Sequence, residues 1–278
     1  MQPPFKVAFD ARRSEQQSAK GNLWKRSHPE RARALQSKYR NRAVQLIDEQ
    51  RTPINIYCDN VLVTSDFHIP FHDPVLVDIL CQAGEENSVD TLMVSGDFWD
   101  CDNYSKFTRK TWTFTFKEEI HLVREVMNYL LDYFKIIYFC RGNHEHRWIA
   151  VNTGMVGMDE LFATTCIPTD RYKVTLDDHM YLYQGDEKWL LCHPKSFRQT
   201  NLSVVRDLAA KHQCNVIGGH GHQWAQGYDK SGTFVVADGG GLFQKEALDY
   251  LRETTCHPMV RSGFYLLQDN DLITYSGI

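Results

Sequence analysis

Residues 61–68, VLVTSDFH, and residues 92–100, LMVSGDFWD, read as two short apolar strands that each run out onto metal-binding side chains. The first ends on Asp66 and His68, the second on Asp97, with Asp100 three residues on. The same pattern recurs down the chain. IIYFCRGNHE (136–145) ends on Asn143 and His144, WLLCH (189–193) on His193, and VIGGHGH (216–222) on His220 and His222. In open α/β sheets ligands collect beyond the carboxyl ends of strands, so these five loops are expected to converge on one site. One Asp-x-His or one loop histidine means little. Two aspartates, an asparagine and several histidines at one rim are a costly polar cluster unless something satisfies them. Mixed carboxylate, imidazole and amide-oxygen donors suit borderline metals such as manganese, iron or zinc. Seven such donors are too many for one ion and suit two that share a bridging carboxylate.

Working outward, further strands are predicted at Phe234–Ala237, Phe264–Leu267 and Leu272–Tyr275, and helices near Pro74–Glu86, Lys117–Phe134 and Asn201–His212. In the middle helix Ile120, Val123, Val126, Leu130, Leu131 and Phe134 form one apolar stripe. Strand–helix alternation followed by mostly strands predicts a layered α/β fold, parallel at first and mixed later. The chain of 278 residues, 42% hydrophobic and 24% charged, has an ordinary globular composition that excludes wholesale disorder, collagen and coiled-coil rods. It contains no run of the roughly 18 uncharged apolar residues a membrane span needs, and no secretory h-region near its start. A cytoplasmic protein is expected, in a host cytoplasm if phage-encoded. The eight cysteines form no CxxC pair and read as reduced thiols, several of them buried at strand ends.

Charge is unevenly distributed. Residues 1–51 hold 12 Lys/Arg against 5 Asp/Glu, a net of +7, whereas the remainder holds 19 against 30, a net of −11. Ser27, Pro29 and Glu30 resemble a helix start, Ala32, Leu35, Tyr39, Ala43, Leu46 and Ile47 recur at helical spacing, and Pro53 stops the run. Residues 1–51 are therefore expected to form a basic helical extension, and residues 52–278 the domain that carries the chemistry. Arg31, Arg33, Lys38, Arg40 and Arg42 on the other faces of that helix suit a nucleic-acid backbone, or simply a solvated packing helix.

The set D66-F-H68, G96-D97-F-W-D100, G142-N143-H144-E145, H193 and G219-H220-G221-H222 resembles, in order, the motifs of the calcineurin-like metallophosphoesterases. The resemblance covers roughly Val61 to the end of the chain. It implies a layered α/β/β/α sandwich with two mixed sheets. It implies two divalent transition-metal ions, manganese foremost, with iron, zinc, nickel or cobalt as alternatives. Asp66, His68 and His222 match the ligands of the first metal, Asn143, His193 and His220 those of the second, and Asp97 the bridge. His144 matches the family's general acid and Asp100 the carboxylate that orients it. The implied reaction is hydrolysis of a phosphoester by a water activated between the cations.

Substrate choice is less legible. The basic extension favours a phosphodiesterase or nuclease acting on a nucleic acid or nucleotide. Residues 24–39 of that extension also resemble helical segments beside nuclease domains in bacteriophage proteins. Asp100 stands where the double-strand-break-repair nucleases of the superfamily usually carry histidine, which points to the phosphatase and general phosphodiesterase branches. Cys101-Asp102 replaces the arginine-glycine pair of protein phosphatases, against a phosphoprotein substrate. A phosphomonoesterase and a metal-free scaffold of the same fold remain the alternatives. Arg141 and Arg147 are candidate phosphate contacts or surface ion pairs, Glu145 a helix cap, and His72 and His146 solvated histidines. Tyr104, Lys106, Phe107, Arg109, Lys110 and Trp112 could hold a base and its phosphate or pack on the body, and Trp224 raises the same question.

Overall fold

In the computed structural model the chain divides into two units, Met1–Gln50 and Arg51–Ile278. The structure describes residues 53–105, 114–152, 156–248 and 260–276, together with positions 29, 30, 33, 34 and 37, which are helical and exposed. The rest of the predicted N-terminal helix, the candidate base-holding residues Lys106, Phe107, Arg109, Lys110 and Trp112, and Cys256 lie outside the described residues.

The larger unit is built on two six-stranded sheets. One joins β12 (Asp271–Ser276), β11 (Gly263–Gln268), β2 (Asn60–Thr64), β3 (Thr91–Ser95), β4 (Ile136–Cys140) and β5 (Tyr172–Val174) in that order. The other joins β1 (Asn55–Tyr57), β6 (His179–Gln184), β7 (Glu187–Cys192), β8 (Asn215–Gly218), β10 (Val235–Asp238) and β9 (Ala225–Tyr228). Strands β2 to β5 pair in parallel, and β11 closes antiparallel on β2. In the second sheet β7, β8 and β10 are parallel, while β6 and β9 run antiparallel to their neighbours on one side.

Side-chain alternation along the strands separates three cores. Val61, Val63, Met93, Trp189, Leu191, Ile217 and Tyr265 turn inward and meet between the sheets. Their neighbours Leu62, Leu92, Val94, Ile137 and Phe139 face outward beneath α1 (Pro74–Glu86), α2 (Phe116–Tyr133), α3 (Asn143–Val151) and α4 (Met158–Ala163). Leu190, Val216 and Val236 face outward on the other sheet, under α5 (Ser203–His212). The result is helices, sheet, sheet and helix in four layers, the α/β sandwich expected from the sequence.

The helices start where local chemistry dictates. Asp73 accepts the N–H of Val75 at 2.9 Å and Pro74 opens α1, whose missing N–H has no partner to lose. Thr115 and Glu118 close a capping box on α2, Thr115 donating its N–H to Glu118 at 2.7 Å. Most predicted strands lie within a residue or two of the observed ones. Strands β1, β5, β6 and β9 and helix α4 were not foreseen, and of α3 only the cap at Glu145 was.

Candidate metal centre

The parallel strands of both sheets end at the same edge, and their connecting loops are bonded across the gap. Asp66 N–H donates to Gly96 O at 3.0 Å, His68 N–H to Asp97 O at 3.0 Å, and Gly219 N–H to Cys192 O at 2.9 Å. His220 N–H donates to Asp66 Oδ2 at 3.0 Å, tying the second sheet to the first. Five of the predicted ligands, Asp66, His68, Asp97, His220 and His222, hold left-handed backbone conformations with φ between 50° and 71°. Such angles cost non-glycine residues about 1–3 kcal/mol each and persist only where the surroundings impose them. Gly142, ahead of Asn143, needs its missing side chain, because a Cβ there would collide with the Asp97 carboxylate and backbone N–H.

All seven predicted ligand residues come together. Asp66, His68 and His222 form one group whose donor atoms lie within 4.8 Å of one another, and Asp97, His193 and His220 form a second. Asn143 joins the second through its Oδ1, 2.9 Å from His193 Nε2. Asp97 lies between the groups. Its Oδ2 is buried and accepts no directed hydrogen bond, although His193 Nε2 lies at 3.2 Å, His144 Nε2 at 3.8 Å and His68 Nε2 at 4.0 Å.

The tautomers explain why. His193 Nδ1–H donates to Ser95 O at 2.9 Å, so a neutral ring turns its Nε2 lone pair toward Asn143 Oδ1 and Asp97 Oδ2. Three acceptors then face one another. Either the ring is protonated or a cation sits among them. His68 repeats the arrangement: Nδ1–H donates to Asp100 Oδ1 at 3.0 Å, and Nε2 faces His222 Nε2 at 3.3 Å and Asp66 Oδ1 at 3.7 Å. Lone pairs aimed at a common point, with an orphaned carboxylate oxygen between them, are what divalent cations require. The residues present fit a pair of such ions.

With protons in place of cations, the electrostatics report the same convergence. Burial would raise Asp66 and Asp97, but the imidazoles win: His222 leads for Asp66, which is held well below the usual carboxylate range, and His144 and His193 for Asp97, which is also lowered. Burial would lower His68 and His193. Hydrogen bonds to Asp100 and Asp66 instead push His68 up to about 9, and the Asp97 charge pushes His193 up to about 10. His220 is held down at about 4, by burial first and then by the His193 charge.

The neighbouring residues were read less completely from sequence. Asp100 Oδ1 engages both His68 Nδ1, at 3.0 Å, and His144 Nδ1, at 3.1 Å, so it holds a ligand as well as the general-acid candidate. His144 Nε2 meets Arg147 Nη2 at 2.9 Å, and Arg147 Nη1 also donates to Asp100 O at 3.2 Å. Arg147 thus contacts the general-acid candidate and the backbone of Asp100. Glu145 caps α3 as expected, accepting from Gly142 N–H at 2.9 Å, and also takes the N–H groups of Asp97 at 3.1 Å and Trp99 at 3.0 Å. Asp238, not singled out beforehand, accepts from Gln223 N–H at 3.1 Å and Gly240 N–H at 3.0 Å and so fixes the loop that carries His222. Its only sequence signal is an aspartate ending a strand before three glycines.

His146 is exposed, as expected, but His72 is not the solvated histidine foreseen: it is partly covered and burial lowers its pKa. Trp224 takes the packing role, stacked on Tyr265 with ring centroids 6.1 Å apart. Tyr104 likewise packs, edge-on to Phe116 at 5.2 Å. Cys81, Cys101, Cys140, Cys192 and Cys214 are buried free thiols, Cys58 is partly covered, and Cys166 is exposed. No helix among the described residues is long and apolar enough to cross a membrane.

The calcineurin-like phosphoesterase family model matches residues 60–255. Among solved structures, the chain is similar to the phosphoesterase YfcE of E. coli, with 13% identity over 78% of this chain and 98% of that one and a TM-score of 0.43. It is also similar to zinc-complexed Vps29 of Entamoeba histolytica, with 15% identity over 78% and 92% and a TM-score of 0.41. A cold-active protein-tyrosine phosphatase of a Shewanella species shows 11% identity over 81% and 80%, with a TM-score of 0.39. No curated protein matches the chain significantly.

Proposed function

Because the chain belongs to the calcineurin-like phosphoesterase family, we propose that it hydrolyses phosphodiester bonds of a nucleic acid or nucleotide at a centre holding two divalent cations, manganese foremost. The observation that carries this reading is Asp97 Oδ2, buried without a directed hydrogen bond between two triads of ligand atoms. Asp66, His68 and His222 would hold one ion, Asn143, His193 and His220 the other, and Asp97 both. When bound, such ions supply an activated water and neutralise charge on the phosphoryl oxygens.

The remaining chemistry belongs to the chain. Asp100 accepts from His144 Nδ1, through Oδ1 at 3.1 Å and its backbone O at 2.8 Å, and so turns Nε2 toward the centre. Nε2 is the atom from which a proton passes to the leaving oxygen. Arg147 Nη2 occupies that atom here, donating to it at 2.9 Å. A phosphoryl group offers the guanidinium a charged, bidentate partner, and that exchange frees Nε2 to carry its proton. The diester preference rests on the +7 charge of residues 1–51, which suits a polymer of phosphates.

The same centre serves a phosphomonoesterase, and Arg147 beside His144 would suit the extra charge of a monoester dianion. A substrate panel separates the two. Full-length protein with manganese is expected to hydrolyse methyl p-nitrophenyl phosphate and oligonucleotides with higher kcat/KM than p-nitrophenyl phosphate, and to lose all three activities to chelator. A monoester preference would overturn the diester reading and leave the metal centre standing.

A further inference from the structure

Two cations stand on the rim of the centre on opposite sheets. Arg141 is the first residue beyond β4, and Lys195 lies two residues beyond His193, past the end of β7. One turn ties both loops together. Arg141 N–H donates to Asp177 O at 3.0 Å, and His193 N–H donates to Asp178 O at 2.7 Å. Lys135, Arg198 and Lys230 spend their charge in ion pairs. Neither Arg141 nor Lys195 has an ion-pair partner among the described residues.

Their fields overlap. His146, lowered first by burial, is lowered further by Arg141 and then Lys195. Asp178 is lowered first by its hydrogen bond to His179 and then also by both cations. Asp178 is a negative group among them, engaged by His179 Nδ1 at 3.1 Å, and Asp177 stands beside it in the same turn. Arg141, half-buried, and Lys195, exposed, thus stand on the His193 side of the centre without an ion-pair partner among the described residues.

The loop that begins with Lys195 also carries an aromatic ring. Phe197 is 40% exposed and stands edge-on to His220, with ring centroids 6.4 Å apart. It lines a shallow, open recess shared with Pro194, Leu202 and Gln223. A flat ring beside cations is the combination that holds a base and its phosphate.

We propose that Arg141 and Lys195 bind a second, non-scissile phosphate of the substrate while Phe197 supports the adjoining base, so that the centre selects nucleotides carrying a further phosphate. The proposal rests on the phosphoesterase reading of the centre and names its substrate more closely. One end group of the nucleotide lies at the metals and the other at the rim.

Binding tests it without requiring turnover. Thymidine 3′,5′-bisphosphate and thymidine 5′-phosphate are titrated calorimetrically into manganese-loaded, full-length protein. The wild type is expected to prefer the bisphosphate about ten- to a hundredfold, and Arg141→Gln/Lys195→Gln to reduce that ratio to within about threefold of unity. Phe197→Ala is expected to weaken both nucleotides about tenfold with the ratio retained. A wild type without preference, or a double variant that keeps it, overturns the phosphate subsite. Unchanged nucleotide affinity in Phe197→Ala overturns the base contact. Hydrolysis of methyl p-nitrophenyl phosphate by the wild type is scored separately: if it fails while the binding preference holds, the phosphodiesterase reading falls and the subsite stands.

Discussion

At the scale of single residues, Asp97 and His144 make opposite predictions. Asp97 contributes Oδ2 to the gap between both ligand groups, and its Oδ1 accepts the backbone N–H of His144 at 2.8 Å. Asp97→Asn replaces one carboxylate oxygen by an amide N–H₂ that repels cations. It is expected to weaken manganese binding at both positions and to cost more activity than His222→Ala, as read by metal content and diester turnover. His144 sits beyond the ligand set, so His144→Ala is expected to retain metal while slowing esters of poor leaving groups by about 10²–10⁴-fold, with a smaller loss on nitrophenyl esters. Equal losses on both ester types would refute the proton-transfer role. The ligand types themselves were legible because each ends an apolar run. The contact of Arg147 with His144 and the double duty of Asp100 were not, since they join residues by their orientation in space rather than by any spacing in the chain.

Elements differ in how openly the sequence announces them. Strands β2 and β3 are buried on both faces and read as apolar runs, as parallel strands do, and β4, half-covered at Ile136 and Tyr138, is apolar throughout. Strand β6 alternates buried and half-covered residues, but tyrosines fill its outer positions and mask the period. Strands β1 and β9 are three and four residues long and lie at sheet edges, and α4 has six residues, too few for periodicity to show. Helix α2 carries a test of its own. Glu119, 1% exposed, accepts the N–H of Cys101 at 2.7 Å, and burial pushes its carboxyl from an ordinary 4.5 up to about 8. A carboxyl raised on folding binds its proton more tightly in the native state. Its contribution to stability is therefore complete below about pH 4.5 and is lost as pH rises through 8. Glu145 and Asp238 are both raised to about 7 and act in the same direction, so the informative quantity is a difference. Denaturant unfolding of Glu119→Gln, compared with wild type between pH 5 and pH 8, is expected to lose a slope of about 1.4 kcal/mol per pH unit. Parallel pH profiles would show that Glu119 does not titrate there. At the N-terminus of α3, Gly142→Ala drives a Cβ into Asp97 and is expected to weaken manganese binding about ten- to a hundredfold. Unchanged affinity would mean the loop yields at no cost.

For the whole molecule, the separation of charge is the feature that no single element explains. Residues 1–51 carry seven net positive charges and the rest of the chain eleven net negative charges. If that extension contacts a phosphate backbone, affinity for DNA or RNA falls steeply with salt, each neutralised phosphate adding about 0.7–0.9 to the log–log slope. Replacing Arg31, Arg33, Arg40 and Arg42 by Gln is expected to flatten the slope and weaken polymer binding, while turnover of methyl p-nitrophenyl phosphate stays the same. An unaltered slope would remove nucleic acid from the account of the extension without touching the centre. The centre is tested most directly by calorimetric titration of chelator-stripped, full-length protein with manganese. Two ions per chain at saturation, falling to no more than one in Asp97→Asn, is the predicted result, and a single ion in the wild type would contradict the two-cation centre.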